Sequence, residues 1–206
     1  MKRIYVIRHC EAQGQSSNAP LTEKGHEQAK RLADFFHTYK IDRIISSPFL
    51  RAIQSIELLS KTTNKKIELD ERLSERILST DTLPDWYEKL KITFTNLDLK
   101  YEGGESSQEA MERIKNVVKE VAERGTEHTV IVSHGNLISL LLKSYQSDVD
   151  FQFWHRLSNP DVYQISYIHN EAVIERIWGR TTIEDKKPDY IMINGVWLCL
   201  TFRNYI

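Results

Sequence analysis

The sequence predicts an α/β fold, a three-layer α/β/α sandwich built on a mostly parallel central sheet with an antiparallel edge. Short apolar runs alternate with stretches of helical spacing over roughly the first two thirds of the 206 residues. Two of the runs, Ile4-Tyr5-Val6-Ile7 and Thr129-Val130-Ile131-Val132, read as strands buried on both faces. From Val162 onward the pattern changes to paired short runs separated by turn residues, as expected for an antiparallel edge.

Taken in order, a first strand is expected over about Arg3 to Ile7. Thr22 suits the cap of a helix that opens with Glu23-Lys24-Gly25 and carries Ala29, Leu32, Ala33 and Phe36 at helical spacing. The strand candidate Arg43-Ile44-Ile45 leads into Ser46-Ser47-Pro48, with Pro48 expected in the first turn of a helix from about Phe49 to Ser60. Its inward residues are expected to be Ala52, Ile53, Ile56 and Leu59. Ile67-Glu68-Leu69 reads as a short strand, and Pro84 to about Leu97 as a helix carrying Trp86, Leu90 and Phe94. Gly103-Gly104-Glu105-Ser106 reads as a turn, with Ser106 or Ser107 capping a helix through Met111, Ile114, Val117, Val118 and Val121. A helix from Leu137 to Lys143 follows the strand ending at Val132. Val162 to Ile168 and Ala172 to Trp178 are expected to pair across His169-Asn170-Glu171. Asn194-Gly195 signals a second hairpin within Tyr190 to Leu200, since both residues tolerate positive φ. The repeated β-then-α order makes the first strands parallel.

The length suits one domain over 1–206, with 185–206 a C-terminal extension of open placement behind the charged stretch Glu184-Asp185-Lys186-Lys187-Pro188. The aromatics of that extension, Tyr190, Trp197, Phe202 and Tyr205, are expected to pack on the domain or on a second copy of the chain, which leaves a homodimer open. Lysine and arginine total 28 against 29 acidic residues, so nothing in the charge points to nucleic acid or to an anionic membrane. No apolar stretch approaches bilayer span, and Met1-Lys2-Arg3 leads into a strand; a cytoplasmic location is expected. Cys10 and Cys199 form neither a disulfide framework nor a metal motif.

Three strand ends carry basic groups: Arg8-His9, Arg51 shortly after the second strand, and His134. Ligands bind on the carboxyl side of strands in open α/β sheets, so these groups are placed to meet. Together they suit a phosphomonoester. Arg8 and Arg51 provide bidentate donors, His134 a further donor, and the Gly135 and Asn136 amides at a helix start can also face the phosphate. A histidine neutral on its attacking nitrogen can accept the phosphoryl group. The proton for a departing alkoxide requires a carboxyl group. Position alone does not separate Glu75 from Glu71 or Asp70; Glu11 is a further candidate, and Glu105 sits in a turn that can reach the same place. His9-Cys10 also looks like the start of the phosphate loop of cysteine-dependent phosphatases, which place an arginine six residues after the nucleophile. Here that residue is Ser16, so Cys10 is expected to be a small filler, with a thiol made acidic and oxidation-sensitive by its basic neighbours.

In series, Arg8-His9-Cys10, Pro20-Leu21-Thr22-Glu23-Lys24-Gly25 with Gln28-Ala29, Ser46-Ser47-Pro48 with Arg51-Ala52, Leu73-Ser74-Glu75 and Ser133-His134-Gly135 resemble the histidine phosphatase superfamily, also called phosphoglycerate-mutase-like. Cys10 stands where that family has glycine. The resemblance implies a phosphoglycerate-mutase-like fold, a phosphohistidine on His9, Glu75 as proton donor, and a phosphate pocket of Arg8, Arg51, His134 and Gly135. It implies no metal and no cofactor. The segment from Cys10 to Pro20 is shorter than in the glycolytic mutases and lacks their tryptophan-asparagine pair. A metal-independent phosphomonoesterase of histidine acid phosphatase type is therefore expected, acting on a small phosphorylated metabolite, with Gln15 and Asn18 as candidate substrate contacts. The alternatives are a 2,3-bisphosphoglycerate-dependent phosphoglycerate mutase and a non-catalytic phospholigand-binding protein.

Overall fold

The computed structural model describes residues 2–168, 171–179, 189–193 and 196–200. Strand β1 (Arg3–Arg8) buries Ile4 through Ile7 almost completely, as a central strand covered on both faces must. It pairs in parallel with β4 (His128–Ser133), which pairs in parallel with β2 (Arg43–Ser46), and β2 in turn with β3 (Ile67–Leu69). On the other side of β1 lie β5 (Asp161–Ile168) and β6 (Glu171–Arg176), both antiparallel to their neighbours. The six-stranded order is β3-β2-β4-β1-β5-β6, the expected mostly parallel sheet with an antiparallel edge.

Alternation along each strand sorts the core into two layers. Tyr5, Ile7, Ile44, Val130 and Val132 face helices α1 (Glu23–Phe35) and α2 (Leu50–Thr63). Ile4, Val6, Ile45 and Ile131 face the other way, toward α3 (Trp86–Ile92), α4 (Ser107–Glu123), α5 (Gly135–Lys143) and α6 (Phe151–Arg156). Each fully buried aliphatic side chain contributes roughly 1.5–3 kcal/mol, so the sheet centre is a firm platform. After β1 the chain passes to the α1 face, whereas after adjacent β4 it passes to the α5 face. The ends of β1 and β4 therefore flank a topological switch point, where a crevice opens.

Local chemistry explains the helix starts. Thr22 accepts from the Gly25 amide at 2.9 Å and caps α1. Gly25 is needed for another reason: a Cβ there would lie 2.1 Å from the Glu11 carbonyl oxygen. Ser106 and Glu109 form a reciprocal capping box at α4. Helix α2 begins at Leu50, later than expected, with Pro48 ahead of its N-cap Phe49. The reason is that the Ser47 amide still pairs with Val132 O (2.9 Å), holding the chain extended. Ile53, expected inward, is half-buried. Helix α3 covers only Trp86–Ile92, because Thr93 turns its hydroxyl back onto Leu90 O (2.7 Å) and the chain tightens, dropping Phe94 into the core. Helix α6 has six residues, too few for a periodic signal, and is started by Asp150 accepting from the Phe153 amide. Strands β7 (Asp189–Ile193) and β8 (Val196–Leu200) pair antiparallel as a separate two-stranded sheet. The Asn194-Gly195 turn, the His169-Asn170 link and the packing of the C-terminal aromatics lie outside the described residues. Among the described residues no helix is long and apolar enough to cross a membrane.

Candidate active site

Backbone pairing continues one residue beyond the sheet and lifts the basic groups into the crevice. The His9 amide donates to Ser133 O (3.0 Å), so His9 and His134 emerge side by side, their ring centroids 5.1 Å apart. His9 Nδ1 lies 2.6 Å from the Cys10 carbonyl oxygen. A carbonyl can only accept, so Nδ1 carries the proton. Nε2 is left with its lone pair, toward which Arg51 Nε–H points at 3.2 Å. Burial, reinforced by the charges of Arg51 and Arg8 and opposed by the bond to Cys10, pushes His9 down to about 3. It is neutral at pH 7. Asn159 Nδ2 donates to the His9 carbonyl at 2.7 Å and fixes the backbone beneath the ring.

Arg51 is 1% exposed and ties the preceding loop to α2. Its Nη1 donates to Gln15 O (3.1 Å) and Ser16 O (2.7 Å), and the Leu50 amide to Ser17 O (2.8 Å). Arg8 Nη1 donates to Leu157 O at 2.7 Å, while its Nε is enclosed with no partner. Across β1 and β5 it faces buried Asp161, which accepts from Arg176 Nε at 2.8 Å. Burial lowers the Arg8 pKa, and Glu75 and Asp161 act against it. A Cβ on Gly135 would lie 3.0 Å from Arg8 Nε, so the glycine makes room for the guanidinium. His134 is completely buried and shares a hydrogen bond of 2.8 Å between Nε2 and Ser47 Oγ; its Nδ1 has no partner. Burial, reinforced by coupling to His9 and by the charges of the nearby arginines, holds it well below the usual histidine value.

Glu75 occupies the start of α5. Its carboxylate accepts from the Asn136 amide (3.2 Å), the Leu137 amide (3.1 Å) and the following Arg76 amide (2.9 Å). This corrects one expectation: the Asn136 amide is engaged by Glu75 and does not stand free for phosphate. Three of the other acids are committed elsewhere, and Glu71 meets the Ser74 hydroxyl at 3.4 Å. Asp70 pairs with Arg72, Glu105 with Arg113, and Glu11 with Lys24 and the Thr22 hydroxyl. Next to Glu75 opens a cavity of about 450 Å³ whose walls include Gln15, Arg76, Leu78, Trp86, Asn136 and Trp154. Gln15 lines this cavity, while Asn18 is exposed outside that lining, its amide bonded to Ser16 Oγ. A larger groove of about 760 Å³ by Lys2, Lys119 and Tyr145 lies at the opposite end of β1 and takes in none of these groups. Among the described residues no group of three or more His, Cys, Asp or Glu side chains is arranged to hold a metal ion.

Residues 4–178 match the family model of the histidine phosphatase superfamily (branch 1). The chain belongs to that superfamily. A probable phosphoglycerate mutase GpmB of Citrobacter koseri is 28% identical over 161 residues, 70% of this chain and 74% of that protein. The corresponding protein of Salmonella choleraesuis is 28% identical over 188 residues, 81% and 86% of the two chains. The fold matches a mycobacterial glucosyl-3-phosphoglycerate phosphatase with a TM-score of 0.64 at 23% identity, covering 80% of this chain and 89% of that one. It also matches a putative α-ribazole-5'-P phosphatase from Escherichia coli with a TM-score of 0.68 at 21% identity, covering 85% and 95%.

In this member of the superfamily the structure corrects the expectation for Cys10. Its side chain is fully buried, and burial pushes the thiol up to about 11, opposite to the acidic, oxidation-sensitive thiol expected from the neighbouring arginines. Desolvation outweighs charge because the thiol faces the apolar layer beneath the site, with Leu21, Ala52 and Ile56. Iodoacetamide at pH 8 is therefore expected to leave the Cys10 peptide unmodified in the folded protein and to modify it after denaturation; rapid alkylation of the native protein at Cys10, read by peptide mass, would contradict this. Ser47, the side chain of Asn136 and Asn159 are site groups that the sequence did not single out. Ser47 lies in the Ser46-Ser47-Pro48 motif, but its partner is 87 residues away. Asn159 carries no local signal at all.

Proposed function

We propose that this chain is a metal-independent phosphatase that hydrolyses a small phosphomonoester through a phosphohistidine at His9 Nε2. One observation carries the reading: the Cys10 carbonyl claims the Nδ1 proton, which leaves a neutral imidazole with its free lone pair between two arginines. In the first half, Nε2 forms the N–P bond as the bond from phosphorus to the ester oxygen breaks. Glu75 gives its proton to the departing alkoxide. Arg8 and Arg51 neutralise the non-bridging oxygens, the Arg51 Nε–H turning from Nε2 to an oxygen as the lone pair is used. Ser47 Oγ accepts from the Phe49 amide and lies 2.8 Å from His134 Nε2; with the Ser47 hydroxyl donating to Nε2, the unpartnered Nδ1 of His134 carries its proton and serves as a donor for a phosphoryl oxygen. In the second half, the Glu75 carboxylate takes a proton from water, the hydroxide attacks phosphorus, and the N–P bond breaks back to a neutral His9.

The arginines provide the positive field that two-metal phosphatases take from divalent cations. The mutase reading has support from the names of the GpmB relatives. Efficient transfer to a second acceptor requires the intermediate to be shielded, however, and the lip at Gln13 and at Gln15–Asn18 is exposed. The test is a panel of phosphorylated metabolites in buffer containing EDTA, reading inorganic phosphate. Release unaffected by the chelator is expected. Loss of activity with EDTA and its return with a divalent ion would overturn the metal-independent mechanism.

A further inference from the structure

The cavity beside Glu75 has a composition that the phosphate chemistry does not explain. Its apolar wall is formed by Leu78, Trp86, Leu90 and Trp154. Trp86 is the first residue of α3 and is 50% exposed, so a large indole is left uncovered at the mouth of the crevice. Trp154 packs against Phe151, with ring centroids 5.2 Å apart, which holds that side of the wall in place. The polar side is equally specific. Asn136 is 6% exposed, yet neither its Nδ2 nor its Oδ1 has a hydrogen-bond partner. A buried carboxamide left unpaired is costly and calls for a partner that the free protein does not supply.

Charge decides which alcohol fits. The cation in this wall, Arg76, is 7% exposed and already donates to Glu105 O, Thr93 Oγ1 and Ser107 Oγ; one nitrogen, Nη2, remains enclosed and unpartnered. A second anionic group on the substrate would lose its hydration against leucine and tryptophan, and the guanidinium in this wall already spends three hydrogen bonds on those protein oxygens. A neutral ring loses nothing comparable, and an indole wall favours it. We propose that the leaving alcohol is neutral and aromatic, or similarly flat and apolar, packed against Trp86 and Trp154 with one polar edge bonded by the Asn136 carboxamide.

This rests on the phosphatase reading for the identity of the reaction but not for binding. The test is calorimetric titration of the intact protein with 2-naphthylmethylphosphonate, 3-phosphonopropanoate and methylphosphonate. In the wild-type protein the naphthyl compound should bind at least about 10-fold tighter than the carboxylate compound, the scale that separates ligands differing in a well-fitted apolar group. Trp86→Ala, at a half-exposed position, and Trp154→Ala should each reduce the ratio of naphthyl to methyl affinity several-fold. Equal or tighter binding of 3-phosphonopropanoate to the wild-type protein would overturn the proposal whatever the variants do, as would tryptophan variants that fold and keep the full ratio. Phosphate release from the corresponding esters separates the two levels. Naphthyl preference in binding with no hydrolysis of any ester would sink the phosphatase reading and leave the pocket assignment intact. Hydrolysis with preference for carboxylate-bearing esters would do the reverse.

Discussion

Replacing His9 by alanine is expected to abolish phosphoenzyme formation and to lower turnover by on the order of 10⁴–10⁶-fold, the range seen when a nucleophile working as part of a unit is removed. No neighbour can take over its role. His134 Nε2 is engaged by Ser47, and the Cys10 thiol, at about 11, is protonated at neutral pH. Arg8 and Arg51 remain in the variant, so inorganic phosphate should still bind to the same site by calorimetry even though catalysis is lost. That split between retained binding and lost turnover distinguishes a missing nucleophile from a collapsed pocket. A His9→Ala protein that turns over within tenfold of wild type would remove His9 from the reaction.

Glu75→Gln is expected to slow hydrolysis of an alkyl phosphate by about 10²–10⁴-fold and that of an activated aryl phosphate far less, because the better leaving group departs with little need of a proton. Glutamine keeps one acceptor oxygen, which serves the Leu137 and Arg76 amides that share Oε1, while the Asn136 amide loses its acceptor; the start of α5 loses one of its three bonds to this side chain. The deacylation-like step, attack of water on phosphohistidine, also loses its base. Phosphoenzyme should therefore accumulate on the aryl substrate. Equal losses on both substrates, without accumulation, would take Glu75 out of the acid role.

The strand core and the meeting of the two histidines were legible in the sequence because each rests on local pattern. Continuous apolar runs mark strands buried on both faces, and Arg8-His9 and Ser133-His134 follow two of them that prove to be adjacent, Arg8 opposite Ser133. Three features resisted. Short elements such as α6 are fixed by an Asp150 cap and by packing of Phe151, not by periodicity. The acidity of Cys10 was expected from charge alone, whereas a buried thiol is governed by desolvation, and burial is a property of the assembled layers. The destination of the Asn136 amide was misassigned because Glu75 and Asn136 are 61 residues apart, and only the folded chain shows that a carboxylate already takes that amide.

The most direct measurement is a pulse and chase of the phosphoenzyme. The protein is mixed with a ³²P-labelled phosphomonoester, quenched within milliseconds and mapped by peptide mass, and a parallel sample is chased with unlabelled 3-phosphoglycerate before quenching. The label should sit on His9, be acid-labile and alkali-stable, and pass into inorganic phosphate whether or not the acceptor is present. Label on Cys10, or a chase in which 2-phosphoglycerate or 2,3-bisphosphoglycerate takes most of the label in preference to water, would contradict a histidine-based phosphatase.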